Sequence, residues 1–213
     1  MTIAIVNQTK LPDGKITRKV EALCSPGTHF SLDETSTLSN VVMCIRLYRK
    51  EPSTYNQQDK LIMGMASLDV ITGHVHYTEH DCMYRHDPAS YDFLERIISI
   101  ERPSEVIILY DNHQIQDSEL DEVITFMNIQ STQIHKVNLQ EDTYLSSNAN
   151  RCEKQNVQAD IIEKYYPNND VDIFLEEYRF NEHRMACHAF VMLLDFVHEH
   201  NPDRKSTRLN SSH

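Results

Sequence analysis

The stretch that most constrains the fold is the run from Leu61 to His80, LIMGMASLDVITGHVHYTEH. Its first part, up to Ile71, is a nearly unbroken apolar run of about one strand's length, which is typical of a strand buried on both faces. Thr72-Gly73 interrupts the run, and the residues that follow alternate polar and apolar with a period of two. Two β-like runs joined by a short turn with glycine predict a β-hairpin at the centre of a mixed sheet.

Asp69 is the only charged residue in the first run of this hairpin, so it either takes part in chemistry or is held by hydrogen bonds. An acid on an early strand is compatible with a metal-dependent nuclease of ribonuclease H-like fold, with Asp69 and Asp111 as its carboxylates. Such sites need several carboxylates that converge on two metal ions, and the later strands offer little beyond Asp111. The alternative role of both residues is to cap strand ends or turns.

The remaining sequence alternates between strand and helix patterns. Three meander strands followed by alternating helices and strands predict an α/β fold with a ribonuclease H-like mixed sheet flanked by helices. Residues 140–149 are polar and are predicted to form a loop. The predicted strands are residues 2–8, 16–25, 40–50, 61–71, 74–80, 105–110 and 132–139, and the predicted helices are residues 88–101, 117–128, 151–166, 171–178 and 182–200.

The chain is acidic, with a formal net charge of -12 over 213 residues. Its last eleven residues, 203–213, read DRKSTRLNSSH and resemble the translation of a common sequencing adapter, so we treat them as a non-native tail. Without them 17 basic and 31 acidic residues remain. An acidic surface of this size repels phosphate backbones, which argues against nucleic-acid binding by this chain alone.

Cysteine usage and segment composition predict an intracellular protein in the cytoplasm, a nucleoid or a viral factory. The start lacks the layout of a secretory signal, and no apolar stretch is long enough to span a membrane. No GxGxxG or P-loop sequence occurs, so we expect no cofactor in this chain. The cysteines are odd in number and never in CxxC spacing, which favours reduced thiols: Cys24, Cys44, Cys82, Cys152 and Cys187.

Two groups of residues have a weak metal-site pattern. The first shares parity on the second hairpin strand, so a straight strand would place its members on one face: His74, His76, His80 and Cys82. The alternative interpretation is that these four residues form the polar, solvent-exposed face of the strand. The second group lies on the last helix, where a packed thiol and a surface histidine are the commoner outcome: His183, Cys187 and His188. We predict no metal ligands, and no GxSxG nucleophile is present.

Two sets of short motifs together resemble MutS DNA mismatch-repair proteins. The first is IAIVNQ followed by ITRKVEALCSPGT, which ends in the turn Ser25-Pro26-Gly27-Thr28 and resembles the end of the mismatch-binding domain. The second is GMASLDVITGHVH, with Asp69, Thr72 and Gly73 in a D-x-x-T-G hairpin. ERPSEVIILYD follows, with Arg102-Pro103-Ser104-Glu105 at the entry to a strand. These motifs resemble the opening of the MutS connector domain. The sequence at the end of the last helix resembles that of MutS homologues from giant viruses.

The resemblance implies a domain layout in which residues 1–28 end a mismatch-binding domain, 29–39 form a linker and 40–202 form the connector. The implied function is coupling of mismatch binding to an ATPase domain, without enzyme activity in this chain. The implied partners are the mismatch-binding and lever domains, a MutL-type protein and, through the parent protein, mismatched DNA, with no membrane contact. The mismatch-reading Phe-x-Glu element would lie before Met1, and the Walker motif that binds ATP and magnesium would lie after Asp203.

Overall fold

The structure is a computed structural model that describes residues 3–10, 16–24, 40–52, 58–129, 133–200 and 210–211. Its strands are β1 (Ile3–Lys10), β2 (Ile16–Cys24), β3 (Val41–Lys50), β4 (Lys60–Asp69), β5 (His74–Met83), β6 (Glu105–Tyr110), β7 (Gln133–Asn138) and β8 (Asn210–Ser211). After a 3-10 turn at Pro88–Tyr91, its helices are α1 (Asp92–Glu101), α2 (Asp117–Phe126), α3 (Tyr144–Cys152), α4 (Gln155–Tyr165), α5 (Val171–Glu177) and α6 (Arg184–His200).

The central sheet is mixed and has the strand order β7-β6-β3-β4-β5, with the short β8 beside β5. β3, β4 and β5 form an antiparallel meander, whereas β6 runs parallel to β3 and β7 runs parallel to β6. β1 and β2 pair with each other in a separate antiparallel sheet. The predicted α/β fold, a ribonuclease H-like meander followed by alternating helices and strands, is confirmed.

The sheet is buried between two layers of helices because its central strands are apolar on both faces. All six residues of β6 are buried, which is typical of a strand that runs parallel to its neighbour inside an α/β sheet. On one face Val42, Cys44 and Ile107 belong to the apolar core that includes α6. On the other face Met43 and Ile45 belong to the core that includes α1 and α2. The functional question therefore concerns the edges and helical layers of this sandwich.

Gly64 allows α6 to lie directly against β4. A Cβ atom placed on Gly64 would lie 2.1 Å from the backbone carbonyl carbon of Met185, which no real Cβ atom tolerates. Glu79 of β5 fixes the start of the same helix, because its carboxylate accepts hydrogen bonds from the backbone N–H groups of Met185 and Ala186 at 2.8 and 3.0 Å. A carboxylate in that position also interacts favourably with the positive end of the helix dipole.

The prediction of a loop at residues 140–149 is wrong, because α3 begins at Tyr144. Thr143 caps this helix, and its hydroxyl oxygen accepts a hydrogen bond from the backbone N–H of Ser146 at 3.1 Å. Only one face of α3 is covered, so its polar sequence lacks the apolar periodicity that marks the other helices.

In the tail, Asn210–Ser211 pairs in parallel with His74 and Val75, whereas we expected residues 203–213 to remain unpacked. The predicted linker at residues 29–39 lies outside the described residues. Among the described residues, no helix is both long and apolar enough to cross a membrane.

Candidate functional site

The two carboxylates predicted for a nuclease site lie at opposite ends of the sheet. Asp69 is the register partner of Val41, and the neighbouring Val42 is the partner of Glu105 at the start of β6. Asp111 follows the last residue of β6. Six residues of extended chain therefore separate the two ends, which corresponds to about 20 Å. Asp69 and Asp111 cannot share a pair of metal ions that lie about 4 Å apart.

Asp69 caps the turn of the central hairpin. Its Oδ1 accepts hydrogen bonds from the backbone N–H groups of Ile71 and Thr72 at 2.8 and 3.1 Å. The hydroxyl oxygen of Thr72 accepts from the backbone N–H of His74 at 3.2 Å, and Gly73 has a φ of 73°. The hairpin was predicted with this glycine, and the three motif residues are explained by turn chemistry.

Asp111 has a similar role at the other end of the sheet. Its Oδ1 accepts from the backbone N–H of His113 at 2.9 Å, and its Oδ2 accepts from the side-chain amide of Gln140 at 2.9 Å. The carboxylate thus fixes the turn after β6 and ties it to the segment after β7. This is the alternative role that the sequence offered for both acids.

His76, His80 and Cys82 share one face of β5 but contact different partners, whereas His74 at the start of the strand is exposed. His76 Nδ1 lies 3.1 Å from a carboxylate oxygen of Glu101, and the ring of His80 stacks on Phe93 with centroids 4.3 Å apart. Cys82 Sγ donates to the backbone carbonyl of Ser90 at 3.4 Å. The side chains of His76, His80 and Cys82 therefore meet α1 and the turn before it. Within the described ranges, no three potential ligands converge on one point.

The cluster predicted on the last helix is also not brought together. His183 lies just before α6, with its Nδ1 3.9 Å from a carboxylate oxygen of Glu79. Cys187 Sγ lies 3.5 Å from the side-chain oxygen of Gln158, and burial raises the pKa of this thiol to about 12. A thiol with that pKa stays protonated and is a poor nucleophile. His188, in contrast, is buried and has an unusual environment.

The imidazole of His188 is held at one nitrogen and unpaired at the other. Nε2 lies 2.8 Å from the backbone carbonyl of Ala149 in α3, so Nε2 carries the hydrogen, because a carbonyl oxygen can only accept. Nδ1 is buried and has no hydrogen-bond partner in the part of the chain that the structure describes. Burial, and then the nearby Arg46 cation, lower the pKa of His188 to about 4. The ring is therefore neutral at pH 7, and Nδ1 presents a lone pair.

Arg46 is a buried cation in the middle of β3 and is only 4% exposed. Its Nη1 donates to the backbone carbonyl of Leu47 at 2.8 Å, whereas its Nε has no partner among the described residues. Burial lowers the pKa of this guanidinium, and the more distant carboxylates of Glu153 and Asp111 oppose that effect. The sequence analysis did not single out Arg46. The available signal was a charge between Ile45 and Leu47, inside the apolar first part of the strand.

A cleft of about 520 Å³ opens between α4, α5 and the start of α6, and His188 lines it. We call it the helical cleft. Its inner wall consists of buried and half-buried side chains: Ala159, Leu175, Phe180, Met185, Cys187 and His188. Its charged rim is exposed and consists of Glu153, Asp172 and Arg184. Four uncharged polar side chains complete the lining, so the cleft combines apolar contact surface with hydrogen-bonding groups: Gln155, Asn156, Gln158 and Asn181.

The residues that carried the family resemblance have local structural roles where they are described. Arg102 ends α1 in the left-handed conformation, with a φ of 46°, and Pro103 follows it. Ser104 donates from its backbone N–H to the carbonyl of Val41 at 2.9 Å, and Glu105 lies 2.6 Å from His135 Nε2. The turn Ser25-Pro26-Gly27-Thr28 lies outside the described residues.

Comparisons with known proteins do not support the MutS resemblance. No family model and no curated protein matches the chain. A solved structure to which it is similar is a crystal structure of Fowlpox virus resolvase with substrate Holliday junction DNA. The similarity has a TM-score of 0.41 at 11% identity and covers 73% of this chain and 96% of that chain. At that level the similarity concerns general architecture and carries no argument about activity.

The prediction of a MutS mismatch-repair fragment is therefore wrong, and with it the connector function, the mismatch-repair role and the MutS, MutL and mismatched-DNA partners. The neighbour is a resolvase and not a MutS-type protein. The comparisons do not support the prediction of a chain without enzyme activity either, since the structural neighbour is named a resolvase. The resemblance failed because D-x-x-T-G and R-P-S-E describe a hairpin turn and a helix end, which unrelated folds share. The nuclease alternative agrees better with the neighbour, but Asp69 and Asp111 do not form its site.

Proposed function

We propose that this chain is a ligand-binding domain and that the helical cleft is its binding site. The observation that carries the proposal is the lone pair of His188 Nδ1. This atom belongs to a buried residue that lines the cleft, and no described group of the protein pairs with it. A buried polar atom without a partner is costly, so each such atom in a native protein calls for an explanation, and a hydrogen bond from a bound molecule would supply one.

The size of the helical cleft supports the proposal. Its volume of about 520 Å³ is that of a site for a small organic molecule. Residues from three helices form it, so a bound molecule would touch α4, α5 and α6 together. Phe180 contributes from the segment between α5 and α6, where it packs against Phe190 with ring centroids 5.3 Å apart. These packed aromatic rings give the inner wall a fixed shape.

The orientation and charge of the His188 ring are also set by residues outside the cleft. Ala149 in α3 fixes its ring through Nε2, and Arg46 in β3 lies close enough to help keep it neutral. Two elements outside the cleft therefore determine which ring nitrogen carries the hydrogen and keep the ring neutral. This arrangement is a feature of prepared sites, where surrounding residues lock the residue that contacts the ligand.

An intracellular location is part of the same proposal. Within the described residues four cysteines are free: Cys44, Cys82, Cys152 and Cys187. Burial raises the pKa of each thiol, so they behave as packed side chains rather than as a disulfide framework. Unpaired buried thiols are typical of proteins from reducing compartments.

The proposal is tested with two small bicyclic probes, indole and benzofuran, titrated into the ¹⁵N-labelled protein. We expect at least one probe to shift the amide signals of cleft residues such as Ala159 and Leu175 in a saturable way. Replacing Ala159 with Trp fills the cleft and should abolish these shifts. Ser99→Trp, on exposed α1 across the sheet, is the matched control and should leave them unchanged. If neither probe shifts the cleft signals, the proposed function is wrong.

A further inference from the structure

β5 is an edge strand of the central sheet with an outer side that is almost entirely open. Its inner side pairs with β4 in register from Val75 to Met83. On its outer side the short β8 pairs only with His74 and Val75. No other strand among the described residues joins this side, so the outward backbone groups of residues 76–83 have no strand partner there.

This edge lacks the features that usually prevent strand addition. Proteins protect open edges with proline, lysine, a bulge or a very short strand, because an open edge pairs readily with other chains. β5 has ten residues, HVHYTEHDCM, without proline or lysine, and its register with β4 is unbroken. β7, at the opposite edge, has six residues and an exposed lysine, Lys136. Of the two edges, β5 is therefore the one that is open to another strand.

The tail of the chain shows that this edge accepts a strand. Asn210–Ser211 pairs in parallel with His74 and Val75, although residues 203–213 have the sequence of a non-native tail. A segment without an evolved role can pair only through general features, namely backbone hydrogen bonds and charge. This tail, DRKSTRLNSSH, is basic, with three arginine or lysine residues and one aspartate.

A small pocket beside β5 provides a negative charge for an added strand. It has a volume of about 230 Å³ and lies between β5 and the end of α5. The basic side chains of its lining already face carboxylates, since Arg179 forms an ion pair with Glu182 and His183 lies 3.9 Å from Glu79. Glu177, in contrast, is exposed and forms no ion pair within the described part of the chain. Its carboxylate is thus available to a cation.

The pleat of β5 determines which side chains of an added strand reach this pocket. Tyr77 and Glu79 face the α6 side of the sheet, whereas His76 and His80 face α1. Side chains alternate in the same way along a neighbouring strand. Every second side chain of an added strand would therefore lie next to Tyr77 and Glu79, where the carboxylate of Glu177 favours lysine or arginine.

We propose that the β5 edge binds an extended basic segment of a partner protein, which joins the central sheet as an additional strand next to residues 76–83. Backbone pairing supplies the docking geometry, and lysine or arginine side chains on one face of the segment lie near Glu177. The net charge of -12 favours the same kind of partner at longer range. The β5 edge is separate from the helical cleft, so binding here does not depend on a ligand in the cleft.

The probe is a synthetic peptide of alternating lysine and threonine residues, titrated at low salt into the ¹⁵N-labelled full chain. We expect saturable shifts of the amide signals of Thr78 and His80 and none in β7. A peptide with glutamate in place of lysine should bind about tenfold more weakly because its charge is opposite. The lysine peptide methylated at every backbone nitrogen keeps its charge but loses its donors, and it should also bind about tenfold more weakly.

Two neighbouring glutamates of α5 provide a matched pair of variants. Glu177→Gln removes the carboxylate at the pocket and should weaken binding of the lysine peptide by about threefold, the size expected for an exposed ion pair. Glu176→Gln, at an exposed residue that does not line the pocket, should leave the affinity unchanged. Equal effects of the two substitutions would contradict the assignment of the charge to this pocket.

The proposal is overturned if the methylated or the glutamate peptide binds as tightly as the lysine peptide, or if the shifts lie outside β5. Shifts of the β5 signals that depend on protein concentration without any peptide would also overturn it, because they would assign the edge to a second copy of the chain.

Discussion

His188 links the stability of the protein to pH. The pKa of its imidazole falls from the usual 6.5 to about 4 in the folded protein. The unfolded chain therefore binds a proton at higher pH than the folded chain. The stabilisation is fully present above pH 6.5 and is lost as the pH falls through 4. We expect this residue to account for about 3 kcal/mol of the decrease in unfolding free energy between pH 7 and pH 4. Urea unfolding across this range measures the decrease.

His188→Gln is the matched variant for this prediction. A glutamine amide can still donate to the carbonyl of Ala149, but it does not titrate. Its stability should change with pH less steeply than that of the wild type between pH 6.5 and 4. His86→Gln, at a side chain that is 66% exposed, should follow the wild-type profile. Parallel profiles for His188→Gln and the wild type would show that the buried ring does not titrate as described.

Gly64 and Gly73 provide a second test with single residues, because each is required for a different reason. Gly64→Ala forces a Cβ atom into the backbone of Met185 and should cost about 3 kcal/mol or more, since that backbone belongs to a packed helix. Gly73→Ala places a side chain at a φ of 73° in an exposed turn and should cost about 1 kcal/mol. Urea unfolding of both variants measures the difference. If Gly64→Ala is the milder change, α6 is not held against β4 as closely as described.

Among the helices, α3 connects the candidate site to the sheet. Its backbone carbonyl at Ala149 holds the ring of His188, and Thr143 caps its start. Thr143→Ala removes the cap and should lower the unfolding free energy by about 1 kcal/mol. Thr143→Ser keeps a hydroxyl at the same position and should retain most of the stability. The ¹⁵N signals of His188 should also change in the Ala variant only. If both variants behave alike, the hydroxyl does not cap the helix.

The sequence was sufficient to predict the sheet and most helices, because their apolar residues follow strand or helix periodicity. β6 was predicted at its observed bounds, and the D-x-x-T-G hairpin turn was predicted from Gly73. α3 was missed because a helix covered on one side needs few apolar residues. The candidate site was also beyond prediction, since it depends on Arg46, Ala149 and His188, which are far apart in the chain. Only the packing of β3, α3 and α6 brings them together.

The short motifs misled for a related reason. Asp69, Thr72 and Gly73 satisfy the hydrogen bonds of a hairpin turn, and Arg102 with Pro103 ends a helix. Such solutions recur wherever a chain must turn or a helix must stop. Local chemistry therefore identified the local structure correctly and the family incorrectly.

At the scale of the whole molecule, the charge distribution adds a condition on the ligand. The chain has a formal net charge of -12, and on the rim of the helical cleft Glu153 and Asp172 outnumber Arg184. The potential at the mouth of the cleft should therefore favour cations. Because the rim is exposed, each unit of ligand charge should change the binding free energy by less than about 1 kcal/mol.

Tryptamine and indole-3-acetate test this condition, since both contain the indole N–H group but have opposite charges at pH 7. We expect tryptamine to bind more tightly than indole-3-acetate by roughly tenfold at low salt, with indole between them. Half-molar salt shortens the screening length to a few ångströms and should bring the three affinities together. Asp172→Asn should reduce the preference for tryptamine at low salt, whereas Asp92→Asn, at an exposed position on α1 across the sheet, should not. An anion that binds as tightly as the cation at low salt would show that the rim does not select by charge.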